Sequence, residues 1–321
     1  MTDPTPLVTA ATGFMSAKQL FAASELGVFA ALDLGPATAL ELAERAELPE
    51  RSARILADAM VGLGLLAHAD GRYRNTEVTA TYLAGRRGLD LRPFLAFWDE
   101  LSYPHWQHYA QSMRTARPGP FELDEANMGV FMTGVQTYNS LHAVMLAEHY
   151  DFRLHRHVLD LGGLSTAFLA EAAARNPGLT GAFVTTGDFL RMVRGSVPAE
   201  VADRISFHEA DPLTDPVPGR YDAVLLEHVI HRFDPERNQA ILRAARGVVD
   251  PGARLLVLDF LLLADDARRL DPVLAGEYLV VDGTVVYPED EVHGWLRDTG
   301  WAVLETRPLP GSPRVVIAEA A

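Results

Sequence analysis

The segment "HVLDLGGLSTAFLAEAAARNPG" at 157–178 has the outline of a nucleotide-binding turn. An apolar strand reaches Asp160, passes through Gly162 and Gly163, and opens into an alanine-rich helix. This order of strand, glycine turn and helix is typical of cofactor-binding α/β domains. The turn continues with "LST" where further glycine is usual.

Histidines offer a second kind of chemistry. His228 and His231 flank the end of the apolar run "YDAVLLEHVIH", where an imidazole can act as general acid or base. His105 and His108 are three residues apart and would share a helix face, which is one geometry for a pair of metal ligands. No carboxylate or third histidine lies at a supporting spacing, so we expect no metal site. For any single histidine, a hydrogen-bonded structural role is the alternative interpretation.

Aromatic and polar side chains are dense in the segment 92–150. They predict the wall of a pocket for a small apolar ligand, with core packing as the alternative for each residue. The residues predicted to bind substrate are Trp98, Trp106, Met128, Met132, Tyr138, Asn139, His142 and, further along the chain, His228.

Short apolar strands alternate with helices from residue 157 onward. This alternation predicts an α/β fold, with a parallel, doubly wound, Rossmann-like sheet whose ligands bind beyond the carboxyl ends of the strands. The last segment predicts a helix followed by a terminal antiparallel pair of strands. We assign 151–321 to this catalytic domain and 92–150 to a helical linker or substrate lid.

Residues 1–91 predict a mainly α winged-helix domain. A helix over 14–34, two further helices and a turn at Asp70-Gly71 support this interpretation. Such folds often bind DNA, but the second helix of the motif carries its arginines beside acids and has no basic face for phosphates. We therefore expect a dimerisation domain.

Composition narrows the possible partners. The 321-residue chain carries 43 acids against 28 bases, a formal net charge of −15. This charge opposes binding to nucleic acid or an anionic membrane, so a small molecule is the expected partner. The absence of cysteine excludes disulfides, thiolate metal sites and cysteine nucleophiles. No signal peptide or bilayer-spanning run is evident, which predicts a cytoplasmic protein.

Five segments taken together carry a family resemblance: "ASELGVFAALDLGPATALELAERAEL", "GLGLLAHADGRYRNTEVTATYL", "VLDLGG", "RISFHEADPLTDPVPGRYDAVLLEHVIHRFDPE" and "DPGARLLVLDFLL". They resemble class I S-adenosylmethionine-dependent O-methyltransferases of the hydroxyindole and caffeic-acid type, including bacterial enzymes that modify aromatic polyketides. The resemblance implies a homodimer that uses S-adenosylmethionine to methylate a hydroxyl group of a small aromatic or polyketide substrate.

Carried over residue by residue, the resemblance implies a cofactor site at Asp160, Gly162, Gly163, Thr185 and Asp211. The two glycines let the backbone approach the cofactor. Thr185 lies where the family has an acid for the ribose hydroxyls. Asp211 matches the acid that lies near the adenine.

The resemblance also implies that His231 is the general base, which takes the proton from the acceptor hydroxyl as the methyl group moves. Arg232 follows it where the family usually has an acid. Glu227 lies where the family often has a basic residue.

A carboxylate that orients this histidine is expected within "DGTVVYPED". Asp282 and Glu289 are the nearest candidates. Asp259, at the end of "LLVLD", is interpreted as an acceptor for backbone donors only.

Departures from the family pattern leave two alternatives open. Leu164 and Thr166 occupy positions where glycine is expected, and Thr185 replaces an acid. The first alternative is an enzyme of this fold that no longer methylates and instead catalyses a cyclisation, decarboxylation or hydroxylation through His231 and His228. The second is a non-catalytic ligand-binding protein or heterodimer partner.

Overall fold

The computed structural model describes residues 2–85, 88–120, 124–263, 270–310 and 313–321. Its helices are α1 Thr5–Glu25, α2 Val28–Leu32, α3 Ala39–Arg45, α4 Glu50–Gly62, α5 Glu77–Tyr82, α6 Arg92–Phe97, α7 Tyr103–His105, α8 Tyr109–Thr115, α9 Glu125–His149, α10 Ala167–Arg175, α11 Gly187–Val193, α12 Pro235–Gly247, α13 Leu270–Val281 and α14 Glu289–Asp298. Its strands are β1 Leu66–Ala69, β2 Arg72–Asn75, β3 His157–Leu161, β4 Thr180–Thr185, β5 Ile205–Glu209, β6 Tyr221–Glu227, β7 Val249–Asp259, β8 Trp301–Pro308 and β9 Arg314–Ala320. Within the described ranges, no helix is long and apolar enough to cross a membrane.

The chain divides into two compact units. Unit 1 comprises Met1–Pro104 and Glu122–Tyr138, and unit 2 comprises His105–Phe121 and Asn139–Ala321. The predicted segment 92–150 is therefore shared between the units. The predicted substrate residues in unit 1 are Trp98, Met128, Met132 and Tyr138, and those in unit 2 are Trp106, Asn139, His142 and His228.

Unit 1 contains the expected winged helix. The helix predicted over 14–34 is two helices, α1 and α2, separated at Gly27. Helix α3 begins with a capping box, in which the Thr38 side chain accepts from the Glu41 N–H and the Glu41 carboxylate accepts from the Thr38 N–H. Strands β1 and β2 pair antiparallel across the predicted Asp70-Gly71 turn. The core joins these elements through residues such as Phe29, Leu42, Met60 and Leu66.

Unit 2 contains a seven-stranded sheet with the order β5-β4-β3-β6-β7-β9-β8. The first five strands in this order are parallel, and β9 pairs antiparallel with both β7 and β8, which confirms the doubly wound sheet and the terminal pair. Val158 and Leu159 pack into separate hydrophobic clusters because successive side chains of a strand point to opposite faces. Both faces of β3 are thus buried, as expected for a sheet covered by helices.

The chain order reverses between neighbouring strands β3 and β6. In doubly wound sheets, ligands bind in the crevice outside the carboxyl ends of the strands at such a switch point. The fold therefore directs attention to the residues that end β3 and β6 and to those that follow them.

Candidate active site

The parallel strands of unit 2 carry polar residues at their carboxyl ends. Thr185, Glu209, Glu227 and Asp259 are the last residues of β4, β5, β6 and β7, and Asp160 is the penultimate residue of β3. Because the carboxyl ends of parallel strands share one edge of the sheet, these side chains form a row. Glu209 was not among the residues singled out from the sequence.

The glycine turn after β3 is tightly packed against the chain itself. Gly162 has a left-handed φ of +79°, and its N–H donates to the Val184 carbonyl at 2.8 Å. A Cβ at Gly163 would lie 2.4 Å from Asp160 Oδ1 and 2.6 Å from Glu227 Oε1. No side chain fits at Gly163, because two carboxyl groups already occupy that space.

Leu164 and Thr166, which occupy positions where the family has glycine, pack within unit 2. Thr166 is buried, and its hydroxyl lies 2.9 Å from the Ser196 hydroxyl. It directly precedes helix α10. Leu164 is half-buried. The branched side chain of Thr166 thus packs into the protein through Ser196.

Asp160 and Glu227 form a buried carboxyl pair beside this turn. Asp160 is 0% exposed and Glu227 is 2% exposed. Burial raises the pKa of Asp160 well above its usual range, and the Glu227 charge raises it further. Burial also raises the pKa of Glu227 to about 7. At neutral pH the carboxyl pair therefore retains a proton that exposed acids would have lost.

Arg232 extends from the turn after β6 toward the same place. Its Nη2 donates to the Gly162 carbonyl, and its Nε is buried without an acceptor among the described residues. Burial lowers the pKa of Arg232 to about 10, against the opposing effect of the charges on Asp259, Glu227 and Asp160.

At the end of β4, Thr185 is buried and pairs in register with Glu209 on β5. Asp188, the nearest acid that follows Thr185 in sequence, is exposed and forms an ion pair with Arg191. Glu209 lies over Gly187, where a Cβ would be 2.3 Å from Glu209 Oε1. The carboxylate at the end of β4 is therefore that of Glu209, which belongs to the neighbouring strand β5. Its signal in the sequence is an acid that ends the strand "ISFHE".

Asp211 follows β5 and shapes the turn there. Its Oδ1 accepts from the Leu213 N–H at 2.9 Å, and its own N–H donates to Asp215 Oδ2 at 2.9 Å. These hydrogen bonds are typical of an aspartate that stabilises a turn.

His231 forms a dyad with Asp259. Its Nδ1 lies 3.0 Å from Asp259 Oδ2 and 3.2 Å from Oδ1, and its backbone N–H donates to Oδ2 at 3.3 Å. The Phe260 N–H donates to Oδ1 at 2.9 Å. When Nδ1–H donates to the carboxylate, Nε2 carries the lone pair that can accept a proton.

The orienting carboxylate is thus not one of those expected from the sequence. Asp282 instead accepts hydrogen bonds from Thr284, and Glu289 lies 3.4 Å from His293. The interpretation of Asp259 as an acceptor for backbone donors only was wrong. Its position as the last residue of β7, in the strand that pairs with β6, brings its carboxylate to the histidine that follows β6.

Histidines surround the buried Asp259. Burial alone would raise the pKa of Asp259, but His231 and then His228 hold it well below its usual range. His228 Nε2 lies 2.8 Å from His142 Nδ1 on α9. Burial lowers the pKa of His228. Burial and the neighbouring His228 lower the pKa of His142 well below its usual range. Both imidazoles are therefore neutral at pH 7.

His228, His231 and Asp259 each place one possible metal ligand atom within 4.8 Å of the others. The hydrogen bonds that join His231 to Asp259 already account for much of this proximity.

Aromatic side chains lie beside His231 and along α13 within unit 2. The Tyr278 ring on α13 lies 4.7 Å from the His231 ring, centroid to centroid. Trp106 Nε1 donates to Glu277 Oε2 at 2.6 Å, and the Trp106 ring packs on Tyr109. A Cβ at Gly276 would meet both rings at about 3 Å. Asn139 and His142 are buried in the same unit.

Known proteins similar to this chain include O-methyltransferases. A family model described as the O-methyltransferase domain matches residues 110–302, and one described as the O-methyltransferase dimerisation domain matches residues 8–85. The chain is 32% identical to the 3-hydroxy-5-methyl-1-naphthoate 3-O-methyltransferase of Streptomyces sahachiroi, over 94% of this chain and 91% of that protein.

Two further similarities cover almost the full chain. The tetracenomycin polyketide synthesis 8-O-methyl transferase TcmO of Streptomyces glaucescens is 26% identical, over 98% of this chain and 96% of that protein. The crystal structure of human N-acetylserotonin methyltransferase in complex with SAM matches with a TM-score of 0.82 at 25% identity, over 98% of this chain and 96% of that one.

Proposed function

This chain belongs to the O-methyltransferase family, and we propose that it transfers a methyl group from S-adenosylmethionine to a hydroxyl of a small aromatic, polyketide-type substrate. The observation that carries the proposal is the His231–Asp259 dyad, which joins the turn after β6 to the end of β7 at the ligand-binding edge of the sheet. One relative is named as the 3-O-methyltransferase of a 3-hydroxy-naphthoate and another as an 8-O-methyl transferase of tetracenomycin polyketide synthesis, which supports this substrate class.

The residues of this edge fit the cofactor. S-adenosylmethionine, when bound, supplies a methyl group already activated by its sulfonium. The Gly162–Gly163 turn lies at the switch point of the sheet, and polar atoms buried beside it, such as Arg232 Nε, have no partner among the described residues, which is what such a ligand requires. Asp160, Gly162 and Gly163 would hold it beside the switch point.

The ribose end of the cofactor requires hydrogen-bond acceptors at the end of β4. Thr185 offers a hydroxyl, and Glu209 offers a carboxylate directly opposite in the register. We assign the ribose hydroxyls to Glu209 with Thr185, and the adenine side to Asp211.

His231 acts on the acceptor. Its Nε2 takes the proton of the substrate hydroxyl as the oxygen attacks, and the Asp259 carboxylate stabilises the imidazolium that forms. The dyad also fixes the ring, since the Asp259 carboxylate is itself held by the Phe260 N–H. Catalysis then consists of alignment and one proton transfer.

The direct test is a methyl-transfer assay with hydroxylated naphthoates and related phenols, read by mass spectrometry. The proposal expects a product heavier by one CH₂ only when S-adenosylmethionine is present, and no product from the matched methyl ether. A product of unchanged mass, or one that has lost carbon dioxide, would instead support an enzyme that has changed its reaction.

We also propose that the chain is a homodimer built through unit 1. The dimerisation domain match covers 8–85, and α1 exposes large apolar side chains, among them Leu7 at 77% and Phe14 at 52%. Sedimentation at increasing concentration tests this, with Leu7→Asp plus Phe14→Asp expected to give monomers. A cytoplasmic location and the substrate contacts of Trp98, Met128 and Met132 stay predictions.

A further inference from the structure

The carboxyl pair and Arg232 together leave polar groups without partners at the switch point. Apart from the contact between the two carboxyl groups and the backbone N–H groups of Gly163 and Glu227, the four buried oxygens of Asp160 and Glu227 have no donor in the described part of the chain, and Arg232 Nε has no acceptor there. Buried polar groups are nearly always hydrogen-bonded, so a cluster of this kind calls for an explanation.

The three side chains are concentrated in one small volume. Both carboxyl groups lie against Gly163, and Arg232 Nη2 is bonded to the carbonyl of the preceding residue, Gly162. The charges on Glu227 and Asp160 act directly on the Arg232 guanidinium, and Asp259 adds a third negative charge. The carboxyl pair thus favours a cation, and the Arg232 guanidinium beside it favours an anion.

An α-amino acid group matches this arrangement. It carries an ammonium and a carboxylate on one carbon, so both charges must be bound within a few ångströms of each other. Among the parts of S-adenosylmethionine, only the methionine end has this pair. Two carboxyl groups are suited to an ammonium, and a guanidinium is suited to a carboxylate.

We propose that Asp160 and Glu227 bind the α-ammonium of the cofactor and that Arg232 binds its α-carboxylate. This inference rests on the proposed function. It also gives a reason for two departures from the family pattern, a carboxylate at Glu227 where a base is frequent and a guanidinium at Arg232 where an acid is usual. The two changes have opposite sign, and we interpret them as one exchange of charge.

The test compares two nucleosides that differ only at this end. S-adenosylhomocysteine carries the amino acid group, and 5′-methylthioadenosine lacks it. In calorimetry, the wild-type protein should bind S-adenosylhomocysteine more tightly. Glu227→Gln and Arg232→Leu should each weaken S-adenosylhomocysteine by about 10- to 100-fold while binding of 5′-methylthioadenosine stays within about twofold.

Binding of 5′-methylthioadenosine also reports that each variant is folded. Asp234→Asn is the matched control, since Asp234 is exposed and caps α12 close to Arg232 in sequence. The double variant Glu227→Lys plus Arg232→Asp restores the usual charges of the family. It should recover most of the preference for S-adenosylhomocysteine that either single change, Glu227→Lys or Arg232→Asp, removes.

Proton release supplies an independent readout. An ammonium on the carboxyl pair favours its ionised form, so binding of S-adenosylhomocysteine should release a proton and strengthen from pH 6 to pH 8. The groups that face the pair are Arg232, Gly163 N–H and, through Arg232, Asp259. Calorimetry in buffers of different ionisation heat measures the proton, and Glu227→Gln should reduce its release because only Asp160 is then left to supply it.

The outcomes separate this inference from the proposed function. If the folded wild-type protein binds neither nucleoside, the cofactor proposal is wrong and this one falls with it. If it binds both, and the variants keep the wild-type preference for S-adenosylhomocysteine, only the assignment of Glu227 and Arg232 is wrong. Failure of the double variant to improve on the single ones would overturn the exchange of charge.

Discussion

The dyad and the carboxyl pair lie on neighbouring strand ends of one sheet, yet their acids are held in opposite ways. Asp259 accepts from two backbone N–H groups and from His231, and its pKa is held low. Asp160 and Glu227 instead face each other, no side chain from outside the pair donates to them among the described residues, and their pKa values are raised. The dyad is complete before any ligand binds, whereas the carboxyl pair is completed by the ligand.

The largest effect should come from removing the base. His231→Ala should reduce turnover by about 10²- to 10⁴-fold, because proton transfer from the substrate hydroxyl loses its acceptor. Affinity for S-adenosylhomocysteine should stay unchanged. Steady-state kinetics and calorimetry measure the two quantities, with His157→Ala, an exposed histidine at the start of β3, as control. Full turnover in His231→Ala would exclude this residue as the base.

The orienting acid should matter less than the base. Asp259→Asn keeps the shape but loses a charged hydrogen bond, so turnover should fall by about 10- to 150-fold at unchanged cofactor affinity. Asp222→Asn is the matched control, since Asp222 also accepts backbone N–H groups, from Arg156 and His157, near the start of β6. A loss confined to KM, with kcat intact, would argue against the dyad.

At the ribose end, Glu209→Gln should weaken nucleoside binding by about tenfold, since a neutral amide accepts less strongly than a carboxylate. Both S-adenosylhomocysteine and 5′-methylthioadenosine contain the ribose, so their affinities should fall together. This pattern differs from the selective loss expected at Glu227 and Arg232. Asp188→Asn, whose carboxylate is exposed, should leave both affinities as they are; equal losses in the two variants would contradict the assignment.

The last effect concerns the stability of the protein without cofactor. Because the folded protein raises the pKa of Glu227 from 4.5 to about 7, this group favours folding below pH 4.5, and that contribution is lost as pH rises through 7. The melting temperature of the wild-type protein should therefore fall between pH 5 and pH 8. Glu227→Gln should melt higher at pH 8, corresponding to about 1–3 kcal/mol, and similarly at pH 5.

Calorimetric melting across this range measures the difference. Glu236→Gln, an exposed substitution in the first turn of α12, should follow the wild-type curve. A wild-type melting temperature that is flat or rises toward pH 8 would show that the carboxyl pair does not carry the raised pKa.

Much of the fold could be predicted because it depends on short-range patterns. Alternating strands and helices predict the doubly wound sheet, and the Asp70-Gly71 turn predicts the hairpin of the winged helix. The turn that carries Asp160 and Gly163 could be located because strand, acid and glycine are consecutive. In each case the information lies within a few neighbouring residues.

The partners of these residues could not be predicted in the same way. Asp259 reaches His231 only because β7 pairs with β6, a contact between residues far apart in the chain. Glu209 reaches the end of β4 by the register of a third strand. Arg232 has a long side chain whose direction no periodicity fixes. Strand order and register are what sequence spacing alone leaves undetermined.

His228 holds a left-handed backbone, with φ of +53°, between Glu227 of the carboxyl pair and the turn that carries His231. Outside glycine, such a conformation is uncommon and costs about 1 kcal/mol or more. A glycine here would relax the backbone, but it would leave a cavity in place of the buried imidazole and remove its contacts with His142 and Asp259. The backbone cost at His228 and the packing of its ring are thus inseparable, and a substitution chosen for backbone geometry alone would lose the second to relieve the first.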